Sequence, residues 1–231
     1  MQVLLLRHGR TLGNEKKRYI GVTEESLSPQ GIEDCQKLGS LLRKQRKIQE
    51  QFPRIRVVVS PMKRCQESAK IVLDLPDSFE KRLKEGNGKH IAGFQEMQMV
   101  TEADLRECNF GIFENKNYLE LQNEPLYQQW IDSDGTMDFP QGDCLKEWKN
   151  RSVQGFLRQM EYALREQADL VIFVVHGGSI MSIMECLEER GLGYYEYQVG
   201  NGDGFWAEYE MGRLCQVKRV IEQEEGKMDI I

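Results

Sequence analysis

Three short, uninterrupted apolar runs constrain this chain more than any other feature: Val3-Leu4-Leu5-Leu6, Val57-Val58-Val59 and Leu170-Val171-Ile172-Phe173-Val174-Val175. Each is too short for an ordinary helix and lacks the polar alternation of a strand with one wet face. Each therefore reads as a strand buried on both sides, the habit of a parallel sheet held between helices. Helix starts follow all three. Ser28-Pro29 offers an N-cap and a proline at the first helical position, ahead of Ile32, Cys35, Leu38 and Leu42 at helical spacing. Pro61 opens a second helix carrying Ala69, Val72 and Leu73, and His176-Gly177-Gly178-Ser179 leads into a third through Ile180, Ile183, Met184 and Leu187. Val153, Phe156, Leu157, Met160 and Leu164 mark a long amphipathic helix, and Phe205–Tyr209 with Leu214–Val220 form a closing strand pair around Gly212. The expected fold is α/β, a three-layer sandwich with a largely parallel central sheet, right-handed crossovers and helices on both faces. The 231 residues contain no repeat or Pro/Gly/Ser-rich linker, so one domain over 1–231 is expected. The polar segment 77–101, with Gly86-Asn87-Gly88, fits the strand–helix alternation least and reads as an insertion or lid.

Composition excludes some functions. A net charge of −6 argues against non-specific nucleic-acid binding, which needs an electropositive face. No stretch approaches the ~20 apolar residues of a membrane span, and the apolar run at the amino terminus is too short for a signal peptide. The six cysteines are dispersed without a C-x-x-C pair, the usage of reduced thiols, so a cytoplasmic protein is expected. No nucleic acid, membrane or cofactor is expected as a partner. The oligomeric state is left open, a homodimer included.

In open α/β sheets ligands bind beyond the carboxyl ends of the strands. There the first run ends in Arg7-His8-Gly9, the second in Ser60-Pro61 with Arg64 one turn on, and the third in His176-Gly177-Gly178. Two of the three histidines and two arginines thus fall on strand ends. Guanidiniums fork onto phosphoryl oxygens, the Gly177-Gly178 amides add donors, and a histidine among them suits attack on phosphorus. Phosphoryl transfer asks mainly for positioning and charge neutralisation, which Arg, Arg and His supply without a metal.

These residues belong to a longer pattern. Leu5-Leu6-Arg7-His8-Gly9-Arg10-Thr11 with Asn14, then Arg18-Tyr19-Ile20-Gly21, Leu27-Ser28-Pro29-Gln30-Gly31 and Ser60-Pro61-Met62-Lys63-Arg64-Cys65-Gln66-Glu67-Ser68-Ala69 appear in order. Leu105-Arg106-Glu107-Cys108-Asn109-Phe110-Gly111 and His176-Gly177-Gly178 complete it. Over nearly its whole length the chain resembles the histidine phosphatase superfamily, the phosphoglycerate mutase-like fold. The resemblance implies a phosphohistidine on His8, phosphoryl binding by Arg7, Arg64 and His176, and proton donation by Glu107. It implies further contacts to the phosphate from Asn14, Arg10, Thr11, Gly21 and Gly177, a small phosphomonoester substrate, and no metal or cofactor. Read alone, Glu107 would be a solvated loop carboxylate.

Within the superfamily the chain resembles the bacterial α-ribazole phosphatases of cobalamin synthesis, through Arg18-Tyr19-Ile20-Gly21, the 105–114 segment and Tyr127-Gln128-Gln129-Trp130. Phe139-Pro140-Gln141-Gly142-Asp143 is similar to their Pro-Gly-Gly-Glu-Ser stretch, with Asp143-Cys144 replacing Glu-Ser. Arg10, Glu24 and Ser26 also depart from the common residues. Cys108-Asn109-Phe110-Gly111 stands where mutases of the superfamily carry Arg-His-Tyr-Gly, which favours a phosphatase. A broad-specificity phosphatase or phosphoglycerate mutase is the alternative. An inactive phospholigand-binding relative is a third reading, against which Glu107 argues, since an idle site has no use for an acid.

Other signals read as structure. Asp132-Ser133-Asp134-Gly135-Thr136-Met137-Asp138 lacks the glycine and glutamate of a calcium loop and reads as a turn. Gly200-Asn201-Gly202-Asp203-Gly204 precedes a strand and reads as a flexible loop. Lys16-Lys17-Arg18 reads as a solvated charge run, His90 as surface, and Trp130 and Trp148 as core. Tyr194, Tyr195 and Tyr197 are candidates for a pocket mouth.

Overall fold

The computed structural model describes residues 1–46, 48–76 and 96–221. Their strands form one six-stranded sheet of order β3-β2-β4-β1-β5-β6, with β1 Gln2–Arg7, β2 Arg54–Val59, β3 Glu96–Thr101, β4 Leu170–Val175, β5 Gly204–Glu210 and β6 Arg213–Arg219. The first four run parallel, and β5 and β6 add an antiparallel edge beside β1. The helices are α1 Leu12–Glu15, α2 Pro29–Arg46, α3 Ile48–Gln51, α4 Lys63–Val72, α5 Tyr118–Leu121, α6 Pro125–Asp132, α7 Leu145–Arg165 and α8 Gly177–Leu187.

The pleat sorts each apolar run onto two faces. Leu4 and Leu6, with Val57, Val59, Ile172 and Val174, face α2 and α4 through Cys35, Leu38, Cys65 and Ala69. Val3 and Leu5, with Val58, Val171, Phe173 and Val175, face α7 and α8 through Phe156, Met160, Ile180 and Ile183. That is the three-layer sandwich, and it explains why the runs never alternate. All six residues of β4 are buried, and their side chains together contribute on the order of 10 kcal/mol of hydrophobic stabilisation. Ser28 caps α2 by accepting from Gly31 N at 3.1 Å. Ile32 and Leu164, expected on apolar faces, are exposed.

The second helix begins at Lys63 rather than at Pro61. A larger correction concerns the expected lid. Residues 96–101 are strand β3, paired in parallel with β2 from Arg54↔Glu96 to Val59↔Thr101, while 77–95, including His90, lie outside the described residues. An aromatic cover comes instead from the stretch between β3 and α7. Cys108, Phe113, Leu121, Tyr127 and Phe139 of that stretch form a separate buried cluster with Trp148 of α7, and Tyr19, Phe110 and Trp130 pack against it. Among the described residues no helix is long and apolar enough to cross a membrane.

Candidate active site

Parallel register sets the site. Arg7 pairs with Val175 and Val59 with Val174, so β1 and β4 end level and β2 one residue earlier, and the next residues, His8, His176 and Ser60, emerge on neighbouring strand ends. The main chain continues the alignment, with His8 N donating to Val175 O at 3.0 Å and Ser60 N to Val174 O at 3.1 Å. The His8 and His176 rings meet edge to face, 5.2 Å between centroids.

His8 is buried, and its Nδ1 lies 2.7 Å from Gly9 O. A carbonyl only accepts, so Nδ1 carries the proton and Nε2 keeps its lone pair. Burial, then the charges of Arg64 and Arg7, hold the His8 pKa well below the usual histidine value, so the ring is neutral at pH 7. His176 is likewise held neutral by burial, Arg64, His8 and Arg7. Its Nε2 is 2.7 Å from Ser60 Oγ, and its Nδ1 is 3.8 Å from Glu107 Oε2. Glu107 is buried, and burial pushes its carboxyl above the ordinary range despite the Cys108 N–H, 3.0 Å from Oε1, and the nearby arginines. A neutral imidazole with a free lone pair thus stands beside two guanidiniums and a carboxyl biased towards its acid form.

The guanidiniums are held from behind. Arg7 donates to Val199 O at 2.7 Å, and Gly177, which opens α8, packs so closely that a Cβ there would lie 3.2 Å from Arg7 Cζ. Arg64 is fully buried and donates to Thr23 O at 3.0 Å and Gly21 O at 2.9 Å. The Nε atoms of both arginines have no hydrogen-bond partner among the described residues. Ser68, one turn along α4, accepts from Gly9 N at 2.9 Å and donates to Arg64 O at 2.6 Å, tying the His8 loop to the arginine.

A cavity of about 470 Å³ opens from Arg7, His8, Asn14, Glu107 and Gly177. Its aromatic walls are Tyr19, Phe110, Trp130, Phe139, Trp148, Tyr194 and Tyr195. The cations there are engaged: Arg18 bonds Glu120 at 2.7 Å, and Lys149 bonds Glu185 at 2.8 Å while lying 3.8 Å from the centre of the Tyr194 ring.

Not every expected residue meets the cavity. Arg64 and His176 sit buried against His8 without bordering it. Arg10 turns away and pairs with Asp34 at 3.2 Å, because α2 presents that carboxylate. Thr11 caps α1 by accepting from Asn14 N at 3.2 Å. Gly21 serves the loop beneath: its N–H donates to Glu114 at 2.8 Å, and any Cβ would fall on the Cys108 carbonyl oxygen. Trp130, expected as core, borders the cavity, and Trp148 is buried in the aromatic cluster as expected while also bordering it, whereas Tyr197 is buried on Glu188 at 2.6 Å, away from any mouth. The 200–204 loop is pinned, not loose, since Gly202 N donates to His8 O at 3.1 Å and Arg7 N to Asp203 O at 2.9 Å.

Arg151 is a contributor that sequence reasoning missed. It donates to Asp104 O at 2.9 Å and Arg106 O at 3.1 Å and pairs with Asp143 at 3.6 Å, clamping the turn that carries Glu107. Nothing local in the sequence signals a contact between residues more than 40 apart. Asp143 also accepts from Asn109 N at 3.1 Å, so the aspartate standing where the relatives carry glutamate bridges the same turn.

The model of the histidine phosphatase superfamily (branch 1) matches residues 3–93 and 87–221. This chain belongs to that superfamily. Among curated superfamily proteins, the 2,3-bisphosphoglycerate-dependent phosphoglycerate mutase of Porphyromonas gingivalis is 26% identical over 203 residues, covering 81% of this chain and 77% of that protein. Among solved structures, the α-ribazole phosphatase of Shigella flexneri superposes with a TM-score of 0.69 at 22% identity, over 93% of each chain. A phosphoglycerate mutase from Bacillus anthracis superposes with a TM-score of 0.63 at 20% identity, over 93% of this chain and 90% of that one. The histidine phosphatase architecture is therefore shared with proteins named for two different reactions.

Proposed function

We propose that this histidine phosphatase is a metal-independent phosphomonoesterase acting through a phosphohistidine on His8, with α-ribazole 5′-phosphate or adenosylcobalamin 5′-phosphate of cobalamin biosynthesis as its substrate. The observation that carries the chemistry is the His8 tautomer: Nδ1–H on Gly9 O leaves Nε2 as a nucleophile in a field that keeps it unprotonated. Nε2 attacks phosphorus, the ester P–O bond breaks, and the departing alkoxide takes the Glu107 proton. Water then gives a proton to the Glu107 carboxylate as its oxygen attacks phosphorus, and the P–N bond breaks to release phosphate and free His8. Arg7 and Arg64 offset the charge on the phosphoryl oxygens, and neutral His176 contributes to them only as a hydrogen-bond donor.

The leaving group is read from the other end of the cavity. A second acidic group, which phosphoglycerate carries, would meet aromatic walls and two cations, Arg18 and Lys149, already paired with carboxylates. A flat aromatic base suits those walls. This favours a phosphatase over a mutase, in line with Cys108-Asn109-Phe110-Gly111 in place of the Arg-His-Tyr-Gly of mutases. Turnover of α-ribazole 5′-phosphate, nitrophenyl phosphate and 3-phosphoglycerate is expected to fall in that order and to be insensitive to chelator. Preferred conversion of 3-phosphoglycerate to its isomer would overturn the phosphatase reading, and inhibition by chelator the metal-free one.

A further inference from the structure

Asn14 borders the cavity beside His8, and what it offers an anion depends on which way its amide lies. Two donors settle that. Thr11 N–H donates to Asn14 Oδ1 at 3.1 Å, and Asn201 Nδ2 donates to the same oxygen at 3.3 Å. A main-chain N–H can only donate, so the atom facing Thr11 is the oxygen. The Asn201 bond is fixed independently. Its Nδ2 also donates to the carbonyl of His8 at 3.2 Å, and a carbonyl can only accept. Turning the Asn201 amide round would set oxygen against oxygen at both contacts. The loop that carries it cannot drift, because Gly202 N donates to His8 O at 3.1 Å and to Arg7 O at 3.3 Å. Asn201 itself does not border the cavity.

We infer that Asn201 is a positioning residue of the phosphoryl pocket: by holding Asn14 Oδ1 on a protein donor, it leaves the Asn14 NH2 to face a bound anion. This rests on the reading of the His8 end as a phosphoryl site. It also means that the donor to the anion and the main chain of His8 are joined through a single amide and keep their spacing together.

The test is inorganic phosphate binding, measured by calorimetry on the full chain well below each variant's melting temperature. Asn201→Ala is expected to weaken phosphate binding roughly five- to tenfold, the effect of losing one oriented hydrogen bond. In an Asn14→Ala background the same change should have an effect of less than about twofold, because the residue it positions is gone. Equal losses in the two backgrounds would overturn the inference. Asn201→Asp keeps the shape but turns the donor into an acceptor, so it should weaken binding more than Asn201→Ala does. Wild-type affinity in the aspartate variant would also overturn the inference. Wild-type protein that does not bind phosphate at all would sink the phosphoryl reading itself, whereas additive losses in the double variant would sink only the role of Asn201.

Discussion

The two ends of the cavity are built on opposite terms. Around His8 the side chains are charged or titratable and deeply buried: His8 and His176 at strand ends, Arg64 on α4 and Glu107 on the turn that Arg151 clamps. At the aromatic end the walls come from loops, short helices and, for Trp148, α7, and Arg18 and Lys149 are paired with Glu120 and Glu185. One end keeps unneutralised positive charge in a dry place, where it acts strongly on an anion. The other spends its charge internally and offers flat surface. On the proposed function, reaction and selectivity are thereby separated: the buried charged groups serve what phosphomonoesters share, and the aromatic walls what distinguishes one from another.

Breaking the first end should have the largest effect. His8→Ala is expected to lower turnover by at least about 10⁴-fold with every substrate and to abolish phosphoenzyme labelling while melting cooperatively. Substantial turnover in that variant would remove the nucleophile from His8.

Glu107→Gln should divide substrates by leaving group. Roughly 10²–10⁴-fold is expected to be lost on alkyl phosphates, against less than about tenfold on nitrophenyl phosphate, whose leaving group needs no proton. Equal losses would argue against an acid role. Because burial raises the Glu107 pKa, wild-type alkyl phosphatase activity should decline as pH climbs past that value, and the glutamine variant should lose this limb. The same sign applies to stability. A carboxyl with a raised folded pKa stabilises below its unfolded pKa and loses that contribution as pH rises through the folded value. The glutamine variant should therefore melt higher than wild type at pH 7, and a lower melting temperature would contradict the buried-acid reading.

The far end should respond more gently and selectively. Trp130→Ala removes one wall, and is expected to cut kcat/KM roughly tenfold for aromatic leaving groups while sparing a small alkyl phosphate. Loss on both would mean that the wall supports the site rather than the substrate. The smallest effect is expected of Glu185→Gln, which frees Lys149 and should raise turnover of 3-phosphoglycerate about threefold, the scale of an exposed ion pair. No gain would show that charge pairing is not what disfavours a second acidic group.

Much of the first end was legible. Apolar runs too short for helices announced buried strands, and strands ending in Arg-His-Gly and His-Gly-Gly announced what stands at their tips. The part that was not legible depends on contacts between distant segments. Arg10 reads as a pocket residue by proximity to His8, yet Asp34 on α2 draws it away. Trp130 reads as core because helical spacing reports that a face is covered, not whether protein or ligand covers it. Residues 96–101 read as insertion because they continue a polar segment containing Gly86-Asn87-Gly88, although Glu96-Met97-Gln98-Met99 alternates polar and apolar, the pattern of a strand with one wet face.

By itself the sequence determined the α/β class, the buried strands, the superfamily resemblance and the candidates Arg7, His8, Arg64 and His176 on or just past strand ends, because each is written in local runs of residues, while Glu107 came only with the resemblance. Only the tertiary structure decided the His8 tautomer, the low imidazole and raised carboxyl pKa values, the aromatic chamber and the link from Asn201 to Asn14. Those depend on which main-chain carbonyl faces a ring, how deeply a charge is buried and which loops meet, and such distances exist only once strands far apart in the chain lie in register.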